Sequence, residues 1–147
     1  MMKSLLAIVL ILGVQTAHAC PDFTGKYTMN TQAGLTQNLT IIQKGCESLK
    51  IRTAWVDPQT HLSLSQIQSI QIDGQFHTDP NVSTVSTEYS FDDFGVLTEQ
   101  ITAQGSLNGV TQWTLDENQN IQVSVGVIDP QSGVILSYSL QTVYQHQ

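Results

Sequence analysis

Residues 85–103 read VSTEYSFDDFGVLTEQITA, two alternating stretches joined by a short polar turn. In the first stretch the larger side chains occupy every second position from Val85 to Phe91, and in the second they include Leu97 and Ile101. A period of two is typical of a β-strand with one buried face. Asp92-Asp93-Phe94-Gly95 between them has the composition of a hairpin turn. These residues predict an antiparallel β-hairpin.

The same alternation recurs on both sides of this hairpin, from Phe23 to Tyr144, and no helical periodicity interrupts it. About nine strands result, and short polar turns connect them in sequence. We therefore predict an all-β fold, an antiparallel up-and-down meander of about 8–10 strands. We expect this meander to close into a small barrel, because closure removes exposed edges. A β-sandwich is the alternative, since Greek-key crossovers leave no clear mark in a sequence.

Composition limits the classes of partner. The chain has 147 residues, of which 40% are hydrophobic and only 12% charged, which suits one domain. Five Lys and Arg against twelve Asp and Glu argue against a nucleic-acid binder, because too few cations are present to neutralise a phosphate backbone. The second face of each strand carries Ser, Thr, Gln and Lys rather than apolar side chains. We therefore predict no membrane insertion.

The first nineteen residues have the pattern of a cleavable secretory signal. A positive start at Lys3 precedes an apolar run from Leu5 to Val14, which is too short to span a bilayer as a helix. Small residues at Ala17 and Ala19 form a cleavage pattern. We predict a signal peptide over residues 1–19, a single barrel domain over residues 20–147, and export to the bacterial periplasm or beyond the cell.

Two cysteines, Cys20 and Cys46, remain after the predicted cleavage. In an exported chain an even cysteine count predicts a disulfide, and a closed loop of this length stabilises the fold by about 3 kcal/mol. Lipidation of Cys20 is the alternative, because the residue directly follows the cleavage site. Bacterial lipoprotein signals usually carry Leu three residues before that cysteine, whereas Ala17 stands here. The sequence favours the disulfide.

Residues 20–27, CPDFTGKY, resemble the opening strand of calycin barrels, the lipocalin and avidin group. Avidin-like chains often carry Thr-Gly-x-Trp there, and Tyr27 stands where the Trp would be. The resemblance implies an up-and-down barrel with a ligand cup. Two features depart from it: no Lys or Arg follows Arg52 to cover the first-strand aromatic residue, and Trp55 and Trp113 are too few tryptophans for a biotin site.

No motif for catalysis or metal binding is complete. His77 and Asp79 could offer two ligands at a strand end, but no pair of histidines has the helical spacing of a metal site and no Cys lies nearby. Asp116, Asn118 and Asn120 have the spacing of a calcium loop but lack its glycine and its final acid. We therefore predict no metal, no cofactor and no catalytic residue. The sequence favours a non-catalytic binding protein, with a surface-interaction module (an adhesin or inhibitor acting through its loops) as the alternative.

Glu99 is the polar residue that points to a binding cup. It shares the inner face of its strand with Leu97 and Ile101, where a carboxylate is costly unless it is hydrogen-bonded or near water. A β-bulge that turns Glu99 outward, or a position at the barrel rim, is the alternative explanation. We predict that a small apolar or amphipathic ligand binds there, with the aromatic residues of other strands forming the wall. The predicted ligand-binding residues are Tyr27, Trp55, Tyr89, Glu99, Trp113 and Tyr138.

Overall fold

The computed structural model describes residues 20–31 and 34–147, and the predicted signal peptide lies outside the described residues. No helix capable of crossing a membrane occurs in those two ranges. Ten strands form the fold: β1 (Gly25–Asn30), β2 (Thr36–Lys44), β3 (Ser48–Val56), β4 (Ser63–Gln71), β5 (His77–Thr78), β6 (Val85–Phe91), β7 (Leu97–Ala103), β8 (Ser106–Leu115), β9 (Ile121–Ile128) and β10 (Ile135–His146).

All ten strands belong to one antiparallel sheet with the order β4-β3-β2-β1-β10-β9-β8-β7-β6-β5. Every pair joins neighbours in sequence except β1 with β10, so the predicted all-β meander is confirmed. Strands β4 and β5 are the two ends of the sheet, which is not closed by backbone hydrogen bonds. Gln68 on β4 nevertheless reaches Tyr89 on β6, with 3.3 Å between the amide nitrogen and the phenol oxygen. The sheet is therefore rolled, with its two ends facing each other.

The core fills one end of the rolled sheet, which we call the packed end. Phe23 and Tyr27 are buried there, with 0% and 1% of their surface exposed. Alternate residues of most strands converge on them, as period-two patterning requires. The remaining buried members of this core are Leu39, Ile41, Leu49, Ile51, Ile70, Ile72, Leu97 and Ile121.

Residues 20–24, here called the strap, precede β1 and cross the packed end. The predicted disulfide joins Cys20 of the strap to Cys46 in the β2–β3 turn, with 5.7 Å between their Cα atoms. The side chain of Gln43 on β2 also holds the strap. Its Oε1 accepts a hydrogen bond from the Phe23 backbone (2.9 Å), and its Nε2 donates to the Pro21 carbonyl (2.9 Å). Two connections therefore place the Phe23 ring in the core.

Two register shifts in β10 change which side chains face inward. Reading β10 backwards from its end, Thr142 pairs with Val123 on the inner face, and the next residue, Gln141, has no partner in the ladder. Before Gln141 the alternation is therefore reversed, and Tyr138 pairs with Gly126 on the outer face. A Cβ at Gly126 would lie 3.3 Å from both the Tyr138 ring and Val110, so the ring packs over this glycine. The predicted inward orientation of Tyr138 is wrong, because a bulge reverses the alternation.

Candidate functional site

Glu99 faces the interior of the rolled sheet. It pairs with Tyr89 on β6 and with Thr111 on β8, and the ladder is regular on both sides of it. The register shift between β7 and β8 comes later, between Ile101 and Thr102. The bulge that would have turned Glu99 outward is therefore absent at this position, and the side chain is half-buried on the inner face.

A chain of hydrogen bonds links Glu99 to the opposite end of the sheet. The Tyr89 hydroxyl donates to Oε1 of Glu99 at 2.6 Å, a length typical of a hydrogen bond to a charged acceptor. The amide of Gln68 donates to the same hydroxyl oxygen. We call Gln68, Tyr89 and Glu99 the Glu99 chain. It connects β4, β6 and β7, and so bridges the gap that the backbone leaves open.

This arrangement raises the pKa of Tyr89, first because the phenol is buried and then because its hydroxyl donates to Glu99. A raised folded-state pKa stabilises the fold at pH values below the unfolded value of 10.0, and this stabilisation is lost as the pH rises further. We therefore expect the melting temperature to fall above about pH 10, and to fall less steeply in Tyr89→Phe. Thermal unfolding followed by circular dichroism between pH 8 and 11 would measure this. Equal slopes in both proteins would contradict it.

An inner-face cavity lies at the opposite end from the core, and we call it the cup. Its volume is about 360 Å³, near the lower end of the range for small-molecule sites. Its polar wall includes Gln37, whose side-chain oxygen accepts a hydrogen bond from the Tyr144 hydroxyl (3.1 Å). Gln66 lies two residues before Gln68 on β4, so the cup adjoins the Glu99 chain. The residues lining it are Thr31, Leu35, Gln37, Thr53, Trp55 and Gln66.

Three of the predicted residues belong to these two features. Trp55 lines the cup, and Tyr89 and Glu99 form the Glu99 chain. Trp113 lies on the inner face of the strand next to Glu99, where its indole nitrogen is buried and has no hydrogen-bond partner among the described residues. A buried donor without a partner is uncommon in folded proteins.

The other two predicted residues lie elsewhere. Tyr27 belongs to the packed end, and its hydroxyl donates to the carbonyl of Phe23 at 3.0 Å, so both its ring and its polar atom are used by the fold. Tyr138 lies on the outer face. Sequence reasoning did not single out Gln37, Gln66 and Gln68. Glutamine is abundant in this chain, and only the inward alternation of β2 and β4 distinguishes these three.

In the two segments that resemble metal sites, the polar side chains bond to neighbouring groups of the protein. Oδ1 of Asp116 accepts hydrogen bonds from the backbone of Asn118 (2.8 Å) and Asn120 (2.9 Å). His77 pairs with Asp73, 3.0 Å away, rather than with Asp79. In the part of the chain that the structure describes, no three His, Cys, Asp or Glu side chains are grouped to hold a metal ion.

A second cavity of about 670 Å³ lies at the packed end, beside the disulfide. Phe94 lines it and is 92% exposed at the tip of the β6–β7 turn. The neighbouring Asp92 carboxylate accepts from the backbone nitrogens of Phe94 (2.9 Å) and Val96 (2.8 Å). The turn is thus fixed by Asp92, and it presents one large aromatic ring to solvent.

Comparison with known proteins supports the fold. No protein-family model matches the sequence, and no curated protein matches it. Among solved structures, a mutant of the fluorescent protein UnaG superposes with a TM-score of 0.58 at 11% sequence identity. The match covers 85% of this chain and 96% of that one. The match supports a shared fold over most of the chain, in keeping with the barrel resemblance of the first strand.

Proposed function

We propose that this protein is an exported, non-catalytic binder of a small apolar or amphipathic molecule, which it holds in the cup. The single observation that carries the proposal is the Glu99 chain, a hydrogen-bonded carboxylate on the inner face of a rolled sheet. Next to it, the cup offers an aromatic side chain, Trp55, together with amide and hydroxyl groups. Ligand sites commonly combine an apolar wall with a few convergent polar groups in this way.

The disulfide is consistent with export, because such bonds persist in oxidising compartments. We also propose that Cys20 forms this disulfide and does not carry a lipid. We propose that residues 1–19 are the signal peptide and that residues 20–147 are the mature barrel. The binding residues that we propose are Trp55, Tyr89, Glu99 and Trp113, with Gln37, Gln66 and Gln68 added.

An interaction module acting through loops is the second candidate, and Phe94 is the observation that favours it. A nearly fully exposed aromatic ring on a fixed turn, beside a cavity, is the kind of residue that anchors protein interfaces. In this alternative the interior has no ligand. The partner contacts the β6–β7 turn instead.

One experiment separates the two candidates. The mature chain, exported by a bacterial host and purified without denaturation, should carry a co-purifying small molecule in native mass spectra. We expect Trp55→Ala to reduce the bound fraction at least tenfold, because the truncation removes the aromatic wall of the cup. Phe94→Ala should leave it unchanged. An empty protein in all three samples, or loss of the ligand only in Phe94→Ala, would contradict binding in the cup.

A further inference from the structure

The lysine and arginine side chains of the described residues lie on the outer face of the sheet or beside a turn. The four cations after residue 19, Lys26, Lys44, Lys50 and Arg52, are all exposed. Their positions in β1–β3 alternate with the inward-facing residues: Lys26 and Arg52 both pair with Thr40, and Lys50 pairs with Ile42. Lys44 forms an ion pair with Glu47 at 3.6 Å. No Lys or Arg of the described ranges therefore faces the interior.

Glu99 is consequently an interior carboxylate without an interior cation. Tyr89 supplies a neutral donor to one of its oxygens, and no other side-chain hydrogen bond to Glu99 is present within the described residues. Of the histidines in inward-facing register, His77 is held by Asp73 and His146 packs edge-on against Tyr27 with 5.2 Å between ring centroids. Neither imidazole forms a hydrogen bond with Glu99 among the described residues, although the Asp73–His77 pair adjoins Tyr89, whose carbonyl accepts from the backbone of Gly74 (3.1 Å).

The surroundings of Glu99 also suit a cation. Tyr89 and Trp113 lie on the strands to either side of β7, and Trp55 lines the adjacent cup. Aromatic faces attract ammonium groups, and a carboxylate neutralises them. An anionic head group would instead meet a carboxylate in a partly desolvated interior, which is unfavourable.

Resting on the proposed function, we propose that the preferred ligand is a cationic amphiphile whose amine head group binds Glu99 while its apolar tail occupies the cup. The interior thereby discriminates against fatty carboxylates of the same length. The carboxylate of Glu99 selects the charge of the ligand, and the neighbouring aromatic side chains add to the attraction for its ammonium group.

Three probes of equal chain length test this at pH 7: dodecylamine and sodium dodecanoate, each below its micellar concentration, and dodecan-1-ol below its solubility limit. Binding is followed by tryptophan fluorescence, which reports on Trp55 and Trp113 together, and by isothermal titration calorimetry. We expect dodecylamine to bind at least tenfold more tightly than dodecanoate. Glu99→Gln should lower the dodecylamine affinity to that of dodecanol and leave the dodecanol affinity within twofold.

Glu88→Gln is the matched control. Glu88 precedes Tyr89 in β6 and pairs with Gln100, so it lies on the outer face of the same hairpin. Its replacement removes the same charge from an acidic protein without altering the interior, and it should leave the preference for dodecylamine intact. An equal loss in both variants would show that overall charge attracts the amine, and would overturn the inference.

The remaining outcomes separate the inference from the proposed function. If dodecanol and dodecanoate bind and dodecylamine is not preferred, the cup exists and the inference about its ligand is wrong. If none of the three probes binds, the proposed function fails together with the inference. Circular dichroism of each variant verifies that the fold is retained.

Discussion

Replacing Phe23 with alanine should lower the free energy of unfolding by about 3–5 kcal/mol, the range for removing a large aromatic ring from a packed core. Phe23 has no exposed surface and stacks with Phe91, 6.2 Å between ring centroids. Because the strap is tied at both Cys20 and Gln43, it has little freedom to collapse into the space that the ring leaves. The loss should therefore include a cavity contribution as well as the lost transfer free energy.

Urea denaturation of the oxidised protein, followed by tryptophan fluorescence, would measure this loss. Phe94→Ala removes the same side chain from an exposed turn and should change the stability by less than about 0.5 kcal/mol. Similar effects of the two substitutions would contradict the placement of Phe23 in the core. A change in the denaturant slope would indicate that the unfolded state was altered instead.

Removing the disulfide should lower the free energy of unfolding by about 3 kcal/mol, from the chain entropy of the loop that it closes. The bond spans 26 residues of sequence and holds the strap over the packed end. We expect the double variant Cys20→Ser, Cys46→Ser to unfold at a lower urea concentration by that margin. Both cysteines are replaced so that no free thiol remains to form bonds between molecules.

The wild-type protein unfolded in the presence of a reductant is the control for these substitutions, and it should reproduce the loss. Intact-mass analysis of the exported wild-type protein provides an independent check, because the disulfide lowers the mass by two hydrogens. A lipid adduct on Cys20, or two free thiols, would contradict the bond in the exported protein. Unchanged stability on reduction would show that the strap is held without it.

Much of the fold could be predicted from side-chain alternation alone. The hairpin around residues 92–95 and the meander have local causes, namely period-two patterning and turn chemistry. The two bulges in β10 could not be predicted, because Ser, Gln and Thr are accepted on either face and do not reveal a slip in register. The predicted inward orientation of Tyr138 is wrong for this reason. The unpaired gap between β4 and β5 also has no local signature.

The candidate site was accessible to sequence reasoning only in part. A lone acid among inward-facing apolar residues singled out Glu99, and its regular pairing makes that orientation secure. Its connection to Gln68 depends on how far the sheet rolls, since Gln68 and Tyr89 are brought together across the open gap. Tyr27 satisfied the same alternation rule but lies in the core. Alternation identifies the inner face without showing which part of it stays open.

The pairing of β1 with β10 has a consequence for the order of assembly. Tyr27 pairs with His146 and Thr28 with Gln145, whereas every other strand pair joins neighbours in sequence. Bringing such distant segments together costs more loop entropy than forming a hairpin, and non-local pairing slows folding. We therefore expect the hairpins to form first and this β1–β10 pairing to form last. Substitutions at this pairing accordingly act mainly on the rate at which the native state opens.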